Sequence, residues 1–274
     1  MKNITSPNLS DPQLAMAKFV HEIRNPLTII SCEFQFLLKK YPELEQRKEV
    51  SAIHEQLTFI KHLIQEFSDY NNADRLFLKP VDICQFLIHT VDAFRPMFDY
   101  LGIQLITEIP ESLPEIPVDS LRLRQVITNL LRNAEESITH NQGKIRISAK
   151  ILTLYDMQNC FHQPNHSTEP ILTAIFPQET DIFSWNPITV SGTNNIHDIT
   201  NYLCISVIDN GCGIEPDFFP LIGTPFTTQK VNGTGLGLPI IRQIIEAHHG
   251  ILKIQSYPSK GTAVSVYLPF SRMI

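Results

Sequence analysis

The N-terminal part of the chain carries two runs of apolar residues spaced in alternating steps of three and four. The first run is Val20, Ile23, Leu27, Ile30, Phe34 and Leu37, and the second is Val50, Ile53, Leu57, Ile60, Ile64 and Phe67. Pro12 suits the first turn of a helix, and Tyr41-Pro42 ends the first run because a residue before proline avoids helical dihedral angles. The spacing predicts an antiparallel α-helical hairpin over residues 1–74.

A single hairpin of this kind leaves apolar surface uncovered on both of its helices. Pairing two copies into a four-helix bundle would bury that surface, so the pattern predicts a homodimer. A second arrangement stays open at this point, in which the hairpin packs onto the other domain of its own chain.

Residues 75–274 mix strand and helix patterns. The predicted strands are Gly102–Ile109, Lys144–Leu154, Tyr202–Ile208, Ile251–Gln255 and Ala263–Leu268, and the predicted helices run from the cap Asp119 to Ile138 and over Leu236–His248. Strands and helices in separate blocks predict an α/β sandwich with helices on one face of the sheet. Residues from about 155 to 201 fit neither pattern, and they predict an insertion that is partly disordered or carries a small hairpin of its own.

Composition excludes several function classes. The 28 acidic and 22 basic residues leave a net charge of -6, which gives no reason to expect a nucleic-acid partner or an anionic membrane surface. The five cysteines form no CxxC pair and are typical of free thiols in a reducing compartment. No run approaches the roughly 20 apolar residues of a membrane span, so the sequence predicts a cytoplasmic protein.

One motif on the first predicted helix has the residues for nucleophilic chemistry, and it reads His21-Glu22-Ile23-Arg24-Asn25-Pro26-Leu27-Thr28. If Val20 and Ile23 face the apolar seam, His21 and Glu22 face away from it. Pro26 costs about 3 kcal/mol inside a regular helix, and costly local exceptions are typical of functional sites. Glu22 can accept the proton of one imidazole nitrogen, which makes the other nitrogen a better nucleophile.

This motif resembles the phosphoacceptor box of the sensor histidine kinases of two-component systems, whose pattern His-Glu-x-Arg-Asn-Pro-Leu-Thr it matches throughout. The resemblance implies that His21 is the phosphorylated residue and Glu22 its general base. It also implies that Asn25 helps to position water when the same helix dephosphorylates a partner.

A stripe of amides follows on the predicted helix after Asp119. Gln125, Asn129 and Asn133 recur every four residues, with Arg132 beside the last of them. Such a face suits a hydrated Mg²⁺ and a triphosphate, because magnesium keeps several waters and takes few protein oxygens.

Two glycine-containing turns complete the pattern. Asp209 ends a predicted strand before Gly211 and Gly213, so its carboxylate can accept from an exocyclic amine while the backbone comes close. The second turn, Gly233-Thr234-Gly235-Leu236-Gly237, leads into a predicted helix whose first N–H groups can hold phosphate oxygens.

In this order, the amide stripe and the two turns look like the catalytic domain of histidine kinases, within the gyrase, Hsp90, kinase and MutL ATPase superfamily. By this resemblance Asp209 reads adenine with support from Gly261-Thr262, Asn133 holds Mg²⁺, and Phe226 belongs to a mobile lid that runs to Gly233. The implied ATP-binding residues are Asn129, Arg132, Asn133, Asp209, Gly211, Gly213, Phe226, Lys230, Gly233, Thr234, Gly235, Leu236, Gly237 and Thr262. The segment Leu221–Thr228 is most similar to sporulation-type kinases.

One departure separates a kinase from an ATPase in this superfamily. The related ATPases carry a glutamate one turn before the magnesium asparagine, whereas this chain has Asn129, which cannot take a proton from water. The resemblance therefore implies autophosphorylation of His21 by ATP and transfer to an aspartate of a response-regulator receiver domain. Two alternatives remain: a catalytically weak phosphotransfer scaffold or phosphatase of the same family, and a serine kinase or ATPase of the superfamily.

Overall fold

The computed structural model describes residues 12–139, 142–153, 156, 172–176, 200–230 and 233–271. Within these ranges, the side chains of residues 12–19, 21, 172, 175, 176, 200 and 271 lie outside the description. The chain divides into two compact units, of which the first comprises Met1–Asn72 with Thr228–Leu236 and the second comprises Ala73–Thr227 with Gly237–Ile274.

The first unit is built on the predicted hairpin. Helix α1 (Pro12–Lys40) and helix α2 (Lys48–Asn71) are joined by a short 3-10 turn at Pro42–Leu44, so the position of Tyr41-Pro42 as the end of the first helix is confirmed. Helix α1 continues through Pro26, which has no N–H to give to the carbonyl of Glu22. Two residues further on, the hydroxyl of Thr28 donates to the carbonyl of Arg24 at 2.8 Å.

The two helices bury their seam at one end of the hairpin. Val20, Leu27 and Ile64 form a small buried core, against which Ile23, Leu57 and Phe67 pack. Four other predicted seam positions are between 40% and 54% exposed, namely Ile30, Leu37, Ile53 and Ile60. The expectation that one hairpin leaves apolar surface uncovered on both helices is confirmed.

The second unit is organised around a six-stranded sheet. Its strands are β2 (Gln104–Glu108), β4 (Lys144–Thr153), β5 (Leu172–Phe176), β6 (Thr200–Asp209), β7 (Ile251–Tyr257) and β8 (Gly261–Ser271), in the spatial order β2-β4-β6-β8-β7-β5. Strand β2 runs parallel to β4, and every other pair is antiparallel. Strands β1 (Lys79–Val81) and β3 (Ile116–Val118) form a separate antiparallel pair.

In the described part of this unit, four helices have full bounds, and they are α3 (Ile83–Asp92), α4 (Arg95–Leu101), α5 (Ser120–Ser137) and α6 (Gly237–Ala247). Helix α5 buries the stripe Leu123, Val126, Ile127, Leu130, Leu131 and Ala134, and it packs against α6 and the sheet. Strand β4 alternates to match, because Ile145, Ile147 and Ala149 are buried while Lys144, Arg146 and Lys150 are exposed. The predicted sandwich of helices on a sheet is confirmed.

The predicted insertion departs from the chain path of a simple hairpin. It begins after β4, and its described strand β5 does not pair with a strand of its own segment. Instead, Leu172 to Phe176 pair antiparallel with Ser256 to Leu252 of β7, at the opposite side of β6 and β8 from β4. The insertion therefore supplies the edge strand beside β7, and most of its other residues lie outside the described part of the chain.

A buried histidine ties the end of α6 to the start of α5. The main-chain N–H of Asp119 donates to Nε2 of His248 at 3.1 Å, so Nδ1 carries the proton and donates to the carbonyl of Ile244 at 2.7 Å. Asp119 in turn caps α5 by accepting from the N–H groups of Leu121 and Arg122, and its other oxygen accepts from Phe77 N–H. Only neutral imidazole fits this arrangement, because the N–H of Asp119 needs an acceptor.

Burial lowers the pKa of His248 below its ordinary value, an effect that the hydrogen bond to Ile244 and the charge of Asp119 offset only in part. The unfolded chain therefore binds this proton at a higher pH than the folded chain does. We expect the free energy of unfolding to fall as pH drops from about 6.5 toward the lower folded-state pKa, and the contribution of His248 to be complete above about 6.5. Urea unfolding of the full chain across this range should show the decline.

In His248→Gln, which keeps an acceptor but cannot titrate, that part of the pH dependence should vanish. An identical pH dependence in wild type and His248→Gln would contradict the assignment of the decline to this imidazole.

Candidate functional site

Three hydrogen bonds hold the side chain of Asp209 in the second unit. It stands at the end of β6, and a single carboxylate oxygen, Oδ1, accepts from three groups. These are the hydroxyl of Ser137 at 3.0 Å, the N–H of Gly211 at 2.8 Å and the N–H of Thr262 at 3.3 Å. One helix, one turn and one strand thus hold a half-buried carboxylate in place.

Two positions in the turn after Asp209, Gly211 and Gly213, have room for glycine only. A Cβ on Gly211 would collide with the hydroxyl and carbonyl of Ser137, and a Cβ on Gly213 would collide with the carbonyl of Tyr257. Gly213 also has φ of 70°, which favours glycine. Between them, Cys212 donates its N–H to Ser137 and accepts from Ser259 N–H at its carbonyl. Gly211 therefore lets the turn lie directly against the end of α5, and Gly213 lets it lie against Tyr257.

The amide stripe lies on α5, away from its buried face. Asn129 and Asn133 are half-buried and Arg132 is exposed. Ser137, which bonds Asp209, follows Asn133 by one helical turn, so Asn133 and the carboxylate belong to the same end of the unit. The structure thereby brings together the amide stripe and the aspartate that the sequence predicted as separate motifs.

Thr262, Phe226 and Gly237 complete the predicted residues of this unit. Thr262 bonds Asp209 through its N–H, and its hydroxyl lies 3.0 Å from that of the buried Ser256. Phe226 is exposed and adopts φ of 64°, which is unusual for a side chain of this size. A Cβ on Gly237, the first residue of α6, would meet nothing within 4 Å, so space is open at this helix N-terminus.

The other predicted glycine-turn residues belong to the first unit, and they are Lys230, Gly233, Thr234, Gly235 and Leu236. Gly233 donates its N–H to the carbonyl of Lys230, and Gly235 has φ of 71°. The hydroxyl of Thr234 donates to the carboxylate of Glu66 on α2 and accepts from Leu236 N–H at 3.2 Å. Leu236 is fully buried.

The predicted acceptor motif lies within α1. His21 is helical, and its side chain lies outside the described residues. Glu22 and Asn25 are exposed, as expected for positions beside rather than in the seam. Arg24 is half-buried, and its guanidinium donates to the amide oxygen of Gln65 on α2 at 3.3 Å.

Two residues of the Asp209 region were not singled out by the sequence pattern. Ser137 contributes the donor from α5, and Ser256 accepts from Ile214 N–H at 2.9 Å, which holds the chain after the glycine turn. The spacing of Ser137, one turn beyond Asn133, is the sequence signal that points to it. Ser256 has no comparable signal, since serine inside a strand is commonplace.

Within the described ranges, no group of three or more histidine, cysteine or carboxylate side chains could hold a metal ion. A magnesium ion bound mainly to water and phosphate needs no such group, so the single amide oxygen of Asn133 is compatible with it. No helix in the described part of the chain has the length and apolar character needed to cross a membrane.

Two family models match the chain. Residues 13–75 match the His Kinase A (phospho-acceptor) domain, and residues 177–272 match the histidine kinase-, DNA gyrase B-, and HSP90-like ATPase. The first match contains His21, and the second contains Asp209 and both glycine turns. The second range begins beyond α5 and so does not include the amide stripe.

Curated relatives carry both regions. The chain is 28% identical over 254 residues to the sensor histidine kinase ZraS of Salmonella typhimurium, a match that covers 92% of this chain and 44% of the relative. It is also 28% identical over 260 residues to sporulation kinase B of Bacillus subtilis, with 92% and 48% covered. The chain therefore spans about half the length of these relatives.

Solved structures share the fold. Full-length ShkA, solved in complex with AMPPNP, superposes with a TM-score of 0.67 at 22% identity, covering 94% of this chain and 46% of that one. The histidine kinase ThkA, solved in complex with the response regulator protein TrrA, gives a TM-score of 0.53 at 22% identity, with 92% and 60% covered.

We expect Asp209→Asn to weaken ATP binding about 10- to 100-fold, because a hydrogen bond to a charged group contributes about 1.5–3 kcal/mol. Titration of the full chain with a fluorescent ATP analogue, followed by competition with ATP, measures the change. Asp217→Asn, an exposed carboxylate in the following loop, is the matched control and should bind as wild type does. Equal affinities for all three proteins would remove Asp209 from the nucleotide site.

Proposed function

Because the chain belongs to the sensor histidine kinases, we propose that it uses ATP to phosphorylate His21 and then passes the phosphoryl group to an aspartate of a response-regulator receiver domain. Residues 1–74 act as the phosphoacceptor module, and residues 75–274 act as the ATP-binding module. The observation that carries the proposal is the anchored carboxylate of Asp209 on one module, combined with the complete acceptor motif on the other.

The first step transfers the γ-phosphoryl group of ATP from the β,γ-bridging oxygen to an imidazole nitrogen of His21. One imidazole nitrogen of His21 forms a bond to the γ-phosphorus, the bond between that phosphorus and the β,γ-bridging oxygen breaks, and ADP leaves with the bonding electrons. Glu22 accepts the proton from the other imidazole nitrogen. An exposed carboxylate beside the acceptor suits this role, because solvent can later remove the proton.

On the nucleotide side, we propose that the Asp209 carboxylate accepts from the exocyclic amine of adenine. Asn133 would supply an amide oxygen to Mg²⁺, and Asn129 and Arg132, on the same helix, would bind the phosphates. Magnesium would neutralise charge on the phosphate oxygens. The remaining residues that we assign to nucleotide binding are the glycines of both turns, with Phe226, Lys230, Thr234, Leu236 and Thr262.

Asn129 explains why the terminal phosphate goes to an imidazole and not to water. A carboxylate at this helix position could take a proton from an attacking water molecule, and an amide cannot. Slow hydrolysis leaves the γ-phosphate available for His21.

The uncovered apolar seam supports a homodimer. Besides the four seam positions, Ile29 is 62% exposed and Phe36 is 66% exposed on α1, and Phe59 and Leu63 are exposed on α2. A second hairpin would remove these side chains from water at about 25 cal/mol per Å² of apolar surface buried. We propose that two chains pair through α1 and α2 into a four-helix bundle.

We propose a response-regulator receiver domain as the second partner. ThkA, which shares the fold, was solved with a response regulator protein, and the motif around His21 is complete. In the second step an aspartate oxygen of the receiver forms a bond to the phosphorus, and the bond between that phosphorus and the His21 nitrogen breaks. The imidazole keeps the bonding electrons and takes up one proton from solvent, which restores its neutral form. Asn25 would position water when the same helix dephosphorylates the receiver domain.

Incubation with γ-labelled ATP and Mg²⁺ tests the proposal directly. We expect wild type to gain label that survives alkali and is lost in acid, as a nitrogen–phosphorus bond requires, and both His21→Ala and Asn133→Ala to lose at least 99% of it. His62→Ala, an exposed histidine on α2, is the matched control and should label as wild type does.

Label that persists in His21→Ala would reject His21 as the acceptor. Absence of label from folded wild type would reject the kinase and favour a phosphotransfer scaffold. Circular dichroism of each variant separates loss of chemistry from loss of folding.

A further inference from the structure

The acceptor motif contains one cation, Arg24, whose partner is an uncharged amide. Its guanidinium donates to Oε1 of Gln65 at 3.3 Å, and Nε2 of the same Gln65 donates to Oδ1 of Asp69 at 3.1 Å. The three side chains thus form a short relay from α1 to α2. Their helices are held at this level by the core of Val20, Leu27 and Ile64.

The orientation of the Gln65 amide in this relay is determined by its neighbours. A guanidinium can only donate and an ionised carboxylate can only accept, so the amide oxygen must face Arg24 and the amide nitrogen must face Asp69. Turning the amide over would place donor against donor and acceptor against acceptor. Asp69 therefore orients Gln65, and Gln65 orients Arg24.

The relay leaves the charge of Arg24 in place. A carboxylate at position 65 would form an ion pair and offset the positive charge, whereas the amide satisfies one N–H and carries no net charge. The negative charge of Asp69 stands behind the amide. The guanidinium keeps the fork of donors that binds phosphate oxygens well.

Arg24 follows His21 by three residues on α1. Helix positions three apart are neighbours, with Cβ atoms about 5–6 Å from each other. Arg24 therefore belongs to the helical turn next to the acceptor position. Among the described residues, its hydrogen-bond partner is the uncharged amide of Gln65, so its positive charge would be available to a phosphoryl group on His21.

We infer that Arg24 stabilises the phosphoryl group as it is transferred to His21, and that Gln65 and Asp69 are positioning residues that hold this cation without neutralising it. The inference rests on the proposed function, since it needs His21 to be phosphorylated. It assigns a role to two residues of α2 that lie far from the acceptor motif in sequence.

Gln65→Glu separates this role from a purely structural one. The new carboxylate can still bind Arg24 across the helices, so a structural role would be kept or strengthened. The charge of Arg24 would be offset, and the new carboxylate would repel Asp69 one turn away. The matched control is Gln56→Glu, which makes the same change at an exposed position of α2.

The measurement is the initial rate of His21 labelling by γ-labelled ATP, taken over a range of ATP concentrations with the full chain. We expect Arg24→Gln to lower the maximal rate on the order of 10- to 100-fold, as removal of a group that stabilises transferred charge does. Gln65→Glu should lower it by about threefold or more. The KM for ATP should stay within about twofold in both, because the nucleotide binds elsewhere.

Arg24→Lys should recover part of the rate, because it restores the charge but not the fork of donors. Gln56→Glu should match wild type. After removal of ATP, the labelled Arg24→Gln protein should lose its phosphohistidine faster than wild type.

A wild-type rate in Arg24→Gln, or a rate in Gln65→Glu equal to or above that of Gln56→Glu, would overturn the inference while leaving the kinase intact. Unlabelled wild type would instead overturn the proposed function and this inference with it. If Arg24→Gln loses its helical circular dichroism signal, the comparison of Gln65→Glu with Gln56→Glu decides.

Discussion

The three donors on one oxygen of Asp209 are the constraint on which the proposed nucleotide site depends. They come from the end of α5, the glycine turn and the start of β8, so the carboxylate joins three separate parts of the unit. An ionised carboxylate that is only half-buried stays charged when several donors compensate it. The same contacts explain why position 211 is glycine, because the turn can reach α5 only if this residue has no side chain.

In the helical hairpin, the packing of α1 against α2 is the corresponding constraint. Its apolar seam is buried at Val20, Leu27 and Ile64 and exposed at other positions of both helices. Burial of these three residues sets the register of α1 against α2, and this register brings Arg24 to Gln65. The uncovered remainder is the surface that a second chain would complete. The pairing of α1 with α2 therefore determines both the buried seam and the position of the Arg24 charge in this unit.

Much of this arrangement could be predicted from local patterns. The steps of three and four placed both helices, and Tyr41-Pro42 placed the turn that joins them. Asp119 was expected to cap α5, and its Oδ1 accepts from the N–H groups of Leu121 and Arg122. The segment between β4 and β6 was predicted to be an insertion, but its strand was not expected to pair with β7, since pairing across a sheet leaves no mark in the sequence of the inserted segment.

The sequence by itself determined the helical seams, the longer strands and helices of the second unit and the residue types of the acceptor and nucleotide motifs. These depend on the few residues before and after each position, through helical periodicity, strand alternation and the special geometry of glycine and proline. Only the tertiary structure decided which side chains meet. Ser137 and Asp209 are 72 positions apart and Arg24 and Gln65 are 41 apart. Such contacts arise from the packing of whole elements, and packing responds to the combined shape and burial of many side chains rather than to any local pattern.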